Sequence, residues 1–191
     1  MIITEPKWKS YVVETIGPIF TAKLCKEIID LSSTLKKDQG KIYSKDVGDY
    51  DKKRRDSTIR WIPFNKMQPM YDDLIHLIQK INRNHFGFNN LQITEEAQVS
   101  EYSKGQFYHW HTDSPIYMDT EPPVRKLSMT LLLNDPSEFE GGNLEIAGKN
   151  LSPMKQGHAA IFASFLQHRV IPVTKGVRKS LVVWFSGEPF K

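Results

Sequence analysis

The sequence predicts an α+β domain that is mainly β, with two N-terminal helices packed against a double-sheet core of sandwich or jelly-roll type. Three observations lead there. Helix-period apolar spacing is confined to the first 90 residues. After Asn90, short apolar stretches recur with turn residues between them. The chain has 191 residues, 39% of them hydrophobic, which is enough for one core without staples. One domain over 1–191 is therefore expected, with helical support over about 18–90 and the β-core over about 91–187.

Each element has a local reason. Thr21 can cap a helix whose apolar positions Leu24, Ile28, Ile29 and Leu31 fall on one face. A charged, Gly-containing stretch over 36–56 reads as a loop or lid, with Gly48 a candidate hinge. Ser57 to Ile62 alternates around Ile59 and Trp61, as a strand does. Gln68 to Asn84 then places Met70, Leu74, Leu77, Ile78 and Ile81 on one helical face. The expected core strands are 91–102, 106–111, 127–133, 144–146, 159–162, 170–173 and 179–185. Turns at Gly105, Pro115, Pro136, Gly141-Gly142, Gly157 and Gly176 separate them. This spacing makes 170–173 and 179–185 the two arms of a hairpin.

Composition excludes several classes. No apolar run approaches the length of a membrane span, and the first residues do not read as a secretory leader. Cys25 is the only cysteine, which excludes an internal disulfide and a zinc ribbon and makes a reducing, cytoplasmic setting the expectation. The net charge is +4. Lys36 to Arg60 holds nine basic and five acidic residues, so the whole excess lies in that stretch. It reads either as a solvated loop or as a basic lid over an acidic ligand. No zinc finger or RNA-binding signature is present, which argues against a nucleic-acid partner.

The chemistry concentrates in two segments. His111 and Asp113 stand at i and i+2, which on a strand sends both side chains to one face. Two histidines and a carboxylate with open positions describe a non-haem Fe(II) site. The His-x-Asp pair alone is weak, since roughly 0.35 such pairs are expected by chance at this composition. His168 begins a later strand. Ten residues on, Arg178 shares a face with Ser180, Val182 and Trp184. An inward arginine is costly unless it meets a carboxylate, and a dicarboxylate cosubstrate supplies one for its bidentate fork.

With those residues in view, the sequence resembles the Fe(II)/2-oxoglutarate-dependent dioxygenases, in the prolyl 4-hydroxylase-like branch and especially the PKHD-type hydroxylases. The matching pieces are Arg55-x-Ser57 before a Trp61 strand, Glu101-Tyr102-x-x-Gly105-Gln-Phe-Tyr108-x-x-His111-x-Asp113, Leu131-Leu-Leu-Asn134 with Glu140-Gly141-Gly142-x-Leu144, and His168-x-Val through Gly176-x-Arg178-x-Ser180-Leu. They cover roughly residues 20 to 187.

The resemblance implies a double-stranded β-helix core, with iron held by His111, Asp113 and His168. It implies 2-oxoglutarate held by Arg178, with Tyr102 donating to the cosubstrate and Ser180 assisting Arg178. It implies decarboxylation of 2-oxoglutarate with O2, coupled to hydroxylation of an unactivated C–H on a peptide or protein side chain such as proline. A free amino acid or small metabolite is the alternative substrate, and ascorbate an optional reductant. No side chain is needed as a nucleophile. Animal collagen-type enzymes have Lys where this chain has Arg178, so proline itself does not carry over.

Other readings stand beside these. His109 is also i−2 from His111 and could share its face, giving a cupin-type His-x-His site without 2-oxoglutarate turnover; a place at the pocket rim is preferred. His76, His85 and His158 read as surface, packing or hydrogen-bonding residues. Trp110 and Trp184 read as core, Gly141 and Gly142 as turn formers, and Tyr108 equally as pocket lining or packing.

Overall fold

The computed structural model describes residues 11–40, 51–114, 121–147, 149–150 and 155–190. Along the chain run β1 (Val12–Glu14), α1 (Ala22–Ser33), β2 (Asp38–Gln39), β3 (Arg55–Asp56), β4 (Thr58–Ile62) and α2 (Gln68–His85). There follow β5 (Ala97–Ser103), β6 (Phe107–His111), β7 (Val124–Leu132), β8 (Phe139–Gly141), β9 (Leu144–Ile146) and β10 (Lys149–Asn150). The last three are β11 (Ala159–Ala163), β12 (His168–Val170) and β13 (Val173–Gly187).

The strands form two antiparallel sheets. The major sheet has the order β1-β11-β7-β13-β5-β4-β2, with β8 paired to the start of β13. The minor sheet has the order β10-β9-β12-β6-β3. The expected mainly-β, two-helix jelly roll is what the chain forms.

Both helices are where the spacing puts them. Thr21 caps α1, its hydroxyl accepting from Leu24 N at 3.2 Å. Cys25 and Ile28 of α1 and Met70, Tyr71, Leu74 and Ile78 of α2 are buried. They pack with Val99, Leu127, Met129, Leu131, Leu181, Val183 and Phe185 on the outer face of the major sheet. The α2 stripe differs in one member, since Tyr71 is buried where Leu77 was expected. The Tyr71 hydroxyl donates to Ile62 O and accepts from Ala97 N at 2.8 Å, tying α2 to β4 and β5. A second cluster of Tyr102, Leu144, Ile146, Ala160, Phe162, Val170 and Val173 fills the space between the sheets.

Three expectations are corrected. The β-core does not begin at residue 91, because β1, β2 and β4 belong to the major sheet and β3 to the minor one. No hairpin separates His168 from Arg178. β12 pairs with β6 and β9, whereas β13 pairs with β5, β7 and β8, so the chain changes sheets at Ile171-Pro172. The expected turn at Thr174-Lys175-Gly176 lies inside β13. Gly176 there has φ +70 and sits so tightly on β8 that a Cβ would lie 2.0 Å from Glu138 O. The charged stretch is likewise part scaffold: Asp38–Gln39 is an edge strand and Arg55 is buried. Residues 41–50, which hold Gly48 and the middle of the expected lid, lie outside the described residues.

Candidate active site

Registry sets the inner face of the major sheet. Arg178 stands opposite Tyr102, and Ser180 opposite Ser100 and Leu132. Val182 stands opposite Gln98 and Thr130, and Trp184 opposite Ser128. The alternation expected for Arg178, Ser180, Val182 and Trp184 therefore holds, because Leu181, Val183 and Phe185 join the helix-side core.

His111, Asp113 and His168 come together over this face. Each offers one ligand atom, and these atoms all lie within 4.8 Å of one another. His111 Nε2 is 3.7 Å from Asp113 Oδ1, and His168 Nε2 is 3.4 Å from Asp113 Oδ2. The two strands that carry the histidines are paired, with His168 directly across from His111. Each ring is held from behind. His111 Nδ1 lies 2.8 Å from His109 O and His168 Nδ1 lies 3.0 Å from Leu166 O. A ring that donates Nδ1–H to a carbonyl presents its Nε2 lone pair forward, the tautomer a metal requires.

The carboxylate is held as firmly. Ser128 Oγ donates to Asp113 Oδ2 at 2.6 Å and lies 2.9 Å from Ser164 Oγ. The Asp113 amide donates to Ser164 O at 2.9 Å. Burial, with His168 beside it, pushes the His111 pKa far below its ordinary value, so the imidazole is neutral and free to ligate. Burial alone would raise Asp113, but His168, His111, Arg125 and the Ser128 hydroxyl together bring it below the usual carboxylate range. Two imidazoles and one carboxylate suit a divalent first-row metal.

A bulge decides which residues face that site. On β12, His168 and Val170 are two apart, but their partners on β6, His111 and Tyr108, are three apart. The extra residue in β6 shifts the alternation, so Tyr108 and His111 share the inner face. Their rings stack with centroids 3.4 Å apart at 13°. His109, expected to be able to share that face, is exposed and packs its ring on Phe107 at 4.7 Å. Trp110 lies against the Arg169 guanidinium at 4.7 Å. Burial pushes the Tyr108 hydroxyl up to about 12.

Arg178 is 3% exposed, and its NH1 donates to Ser180 Oγ at 3.0 Å. Its guanidinium carbon is 5.8 Å from the Tyr102 ring centre. Among the described residues no carboxylate pairs with it, and burial pushes its pKa down. A buried cation left without an anion fits a carboxylate-bearing cosubstrate. Gly142, read from sequence as a turn former, has a further part. A Cβ there would lie 2.8 Å from Val173 Cγ2 and 2.9 Å from Arg178 Cδ, so its missing side chain makes room for the arginine.

Several neighbours were not singled out from sequence. Ser128 sits mid-strand with no motif to flag it. Arg125 forks onto Glu95, with Nε to Oε1 at 2.7 Å and NH2 to Oε2, and lies over Trp184 at 3.9 Å. Among the described residues, the buried Trp184 Nε1 has no hydrogen-bond partner. Arg55, quoted from sequence in the Arg55-x-Ser57 piece and counted among the lid charges, points inward against Tyr108.

Residues 97–186 match the family model of the 2OG-Fe(II) oxygenase superfamily. The chain is 30% identical over 129 residues to a PKHD-type hydroxylase of Psychrobacter sp. (strain PRwf-1), covering 63% of this chain and 50% of that one. It is 37% identical over 93 residues to a PKHD-type hydroxylase of Xanthomonas euvesicatoria pv. vesicatoria, covering 44% and 41%. The chain thus spans about half the length of the curated relatives it matches.

The fold is that of the viral collagen prolyl hydroxylase of Paramecium Bursaria Chlorella virus-1, at TM-score 0.71 and 17% identity, covering 95% of this chain and 97% of that one. It is also that of a prolyl hydroxylase from Trichoplax adhaerens, solved with a hypoxia inducible factor peptide fragment, at TM-score 0.70 and 19% identity, covering 92% and 83%. The β-core from residue 97 to residue 186 is thus similar to the 2OG-Fe(II) oxygenase superfamily. In sequence the likeness is to PKHD-type hydroxylases, and in fold it is to prolyl hydroxylases.

Proposed function

We propose that the protein is an Fe(II)- and 2-oxoglutarate-dependent dioxygenase that hydroxylates an unactivated C–H of a peptide or protein side chain. One observation carries the reading: a His111–Asp113–His168 cluster, its histidines on the minor sheet, faces the inner side of the major sheet, where a buried arginine has no protein carboxylate among the described residues. When bound, Fe(II) and 2-oxoglutarate supply the O2 chemistry, and the protein supplies placement, charge and exclusion of water.

His111, Asp113 and His168 hold the metal. Their forward-facing Nε2 atoms and the Asp113 carboxylate, fixed by Ser128, would be its protein ligands. Arg178 binds the distal carboxylate of 2-oxoglutarate, Ser180 holds the guanidinium in line, and Tyr102 borders the same carboxylate. Thr130 and Val182 lie between the two ends of this site in register.

A peptide substrate is favoured by the likeness to a prolyl hydroxylase solved with a peptide fragment. Free amino acids, small metabolites and a cupin-type metal protein without turnover are the competing outcomes. The setting is a reducing one, cytoplasmic on this reading, with the single Cys25 buried in the helix-side core. Among the described residues no helix is long and apolar enough to cross a membrane.

The test is succinate release from 2-oxoglutarate by the Fe(II)-loaded protein, across a panel of peptides, free amino acids and metabolites, with ascorbate present and absent. Stimulation by peptides supports the whole reading. Stimulation by small molecules alone would correct the substrate class. No 2-oxoglutarate consumption under any condition would favour the cupin-type alternative.

A further inference from the structure

Arg55 is a buried cation that the metal and cosubstrate sites leave unassigned. It belongs to β3, on the edge of the minor sheet, yet its side chain reaches the major sheet. Nε donates to Ser57 Oγ at 2.8 Å, and NH2 donates to Gln98 Oε1 at 2.8 Å. Gln98 Oε1 also accepts from Ser100 Oγ at 3.0 Å. Gly40 closes over the group: a Cβ at that position would lie 2.2 Å from Arg55 Nε and 2.3 Å from Ser57 Oγ. With two of its nitrogens tied, the guanidinium has its carbon 4.5 Å from the centre of the Tyr108 ring. Tyr108 in turn lies flat on His111 at 3.4 Å, and His111 contacts His168 at 4.0 Å. Guanidinium, phenol and imidazole thus form one column that ends at the proposed metal.

We propose that Arg55 is a positioning residue which, by pressing Tyr108 onto His111, fixes the plane of the His111 imidazole for metal binding. A ring nitrogen ligates well only when its lone pair points at the ion. The Nδ1 contact to His109 O restrains one edge of His111, but rotation about that contact is limited only by what lies on the ring's faces. Tyr108 covers one face. A phenol ring alone could tilt away; a tethered cation above it cannot easily follow, because its Nε and NH2 are committed to Ser57 and Gln98. The attraction of the guanidinium for the ring face adds to the restraint. Outer-shell groups that orient a ligating histidine typically change metal affinity 10–100-fold when removed.

The inference rests on the proposed metal site, and the experiment separates the two. The full chain, freed of metal, is titrated with Co(II) alone, reading the dissociation constant and the ligand-field spectrum, with thermal melting of each apo-protein as the fold check. No Co(II) binding by the wild type would refute the metal site itself. Given wild-type binding, Arg55→Met and Tyr108→Leu are each expected to weaken Co(II) about tenfold or more and to alter the spectrum. Tyr108→Phe, which keeps the ring, is expected to retain both.

Tyr108→Leu leaves the Arg55 hydrogen bonds intact and so keeps the proposal testable where Arg55→Met fails to fold. Wild-type Co(II) affinity and spectrum in a folded Arg55→Met or in Tyr108→Leu would overturn the proposal. So would a loss in Tyr108→Phe as large as that in Tyr108→Leu.

Discussion

Replacing Gly142 by alanine adds one methyl group to a turn, yet it should impair cosubstrate binding. Gly142 has φ +66, where an L side chain costs about 1–2 kcal/mol. The new Cβ would also meet Val173 Cγ2 at 2.8 Å and Arg178 Cδ at 2.9 Å. Val173 is 1% exposed and packed in the inter-sheet cluster, so it cannot withdraw. The arginine stem is the part that can move, and its movement breaks the 3.0 Å bond from NH1 to Ser180 Oγ.

If the guanidinium is thereby misaligned with the carboxylate, a charge-assisted pair of about 1.5–3 kcal/mol is weakened. Each 1.4 kcal/mol is about tenfold in affinity. Gly142→Ala should therefore raise the KM for 2-oxoglutarate about tenfold or more and lower Tm by about 2–8 °C. Co(II) affinity should not change, because no residue of the triad touches Gly142. The assay is succinate release at varied 2-oxoglutarate, paired with Co(II) titration. A fall in Tm with an unchanged KM would show that the turn strains without displacing Arg178, and the reasoning would fail.

The other predictions are simpler. Arg178→Ala should raise the KM for 2-oxoglutarate by about tenfold to a hundredfold with metal binding intact, and Arg178→Lys should do less harm because charge survives without the fork; equal 2-oxoglutarate dependence in wild type and Arg178→Ala would refute the assignment. His109→Ala should keep full metal stoichiometry, since the bulge turns His109 outward; metal analysis showing a loss would restore it as a ligand. Ser128→Ala removes the 2.6 Å bond to Asp113 and should weaken metal binding, read as a higher Co(II) dissociation constant with unchanged melting. Acidification should destabilise the apo-protein. The folded-state pKa of His111 is depressed, so below its unfolded value near 6.5 the unfolded chain binds the extra proton, at a cost of up to about 1.4 kcal/mol per pH unit. Asp113, also depressed, adds a further loss only below its unfolded value near 3.8. A Tm flat between pH 7 and 5 would contradict the buried, neutral His111.

The sequence by itself determined what repeats along the chain. The 3.6-residue spacing of Leu24, Ile28 and Leu31, and of Met70, Leu74 and Ile78, located both helices, because a helix buries one face whatever it packs on. The period of two located Arg178 and Ser180 on the face opposite Leu181 and Val183, and the type and order of His111, Asp113 and His168 pointed to a divalent metal. Tertiary structure decided what depends on a pairing partner. A bulge is a difference in residue count between two paired strands, so nothing within Tyr108 to His111 alone could show that the inner face skips from one to the other and leaves His109 outside. The route from His168 to Arg178 looked like a hairpin because Gly176 is a turn residue. It is instead a point inside β13 that fits against Glu138, a neighbour no local pattern names. Arg55 stood out in sequence as part of the Arg55-x-Ser57 piece, but its burial did not, because that depends on Gln98, an acceptor that β5 brings from 43 residues away.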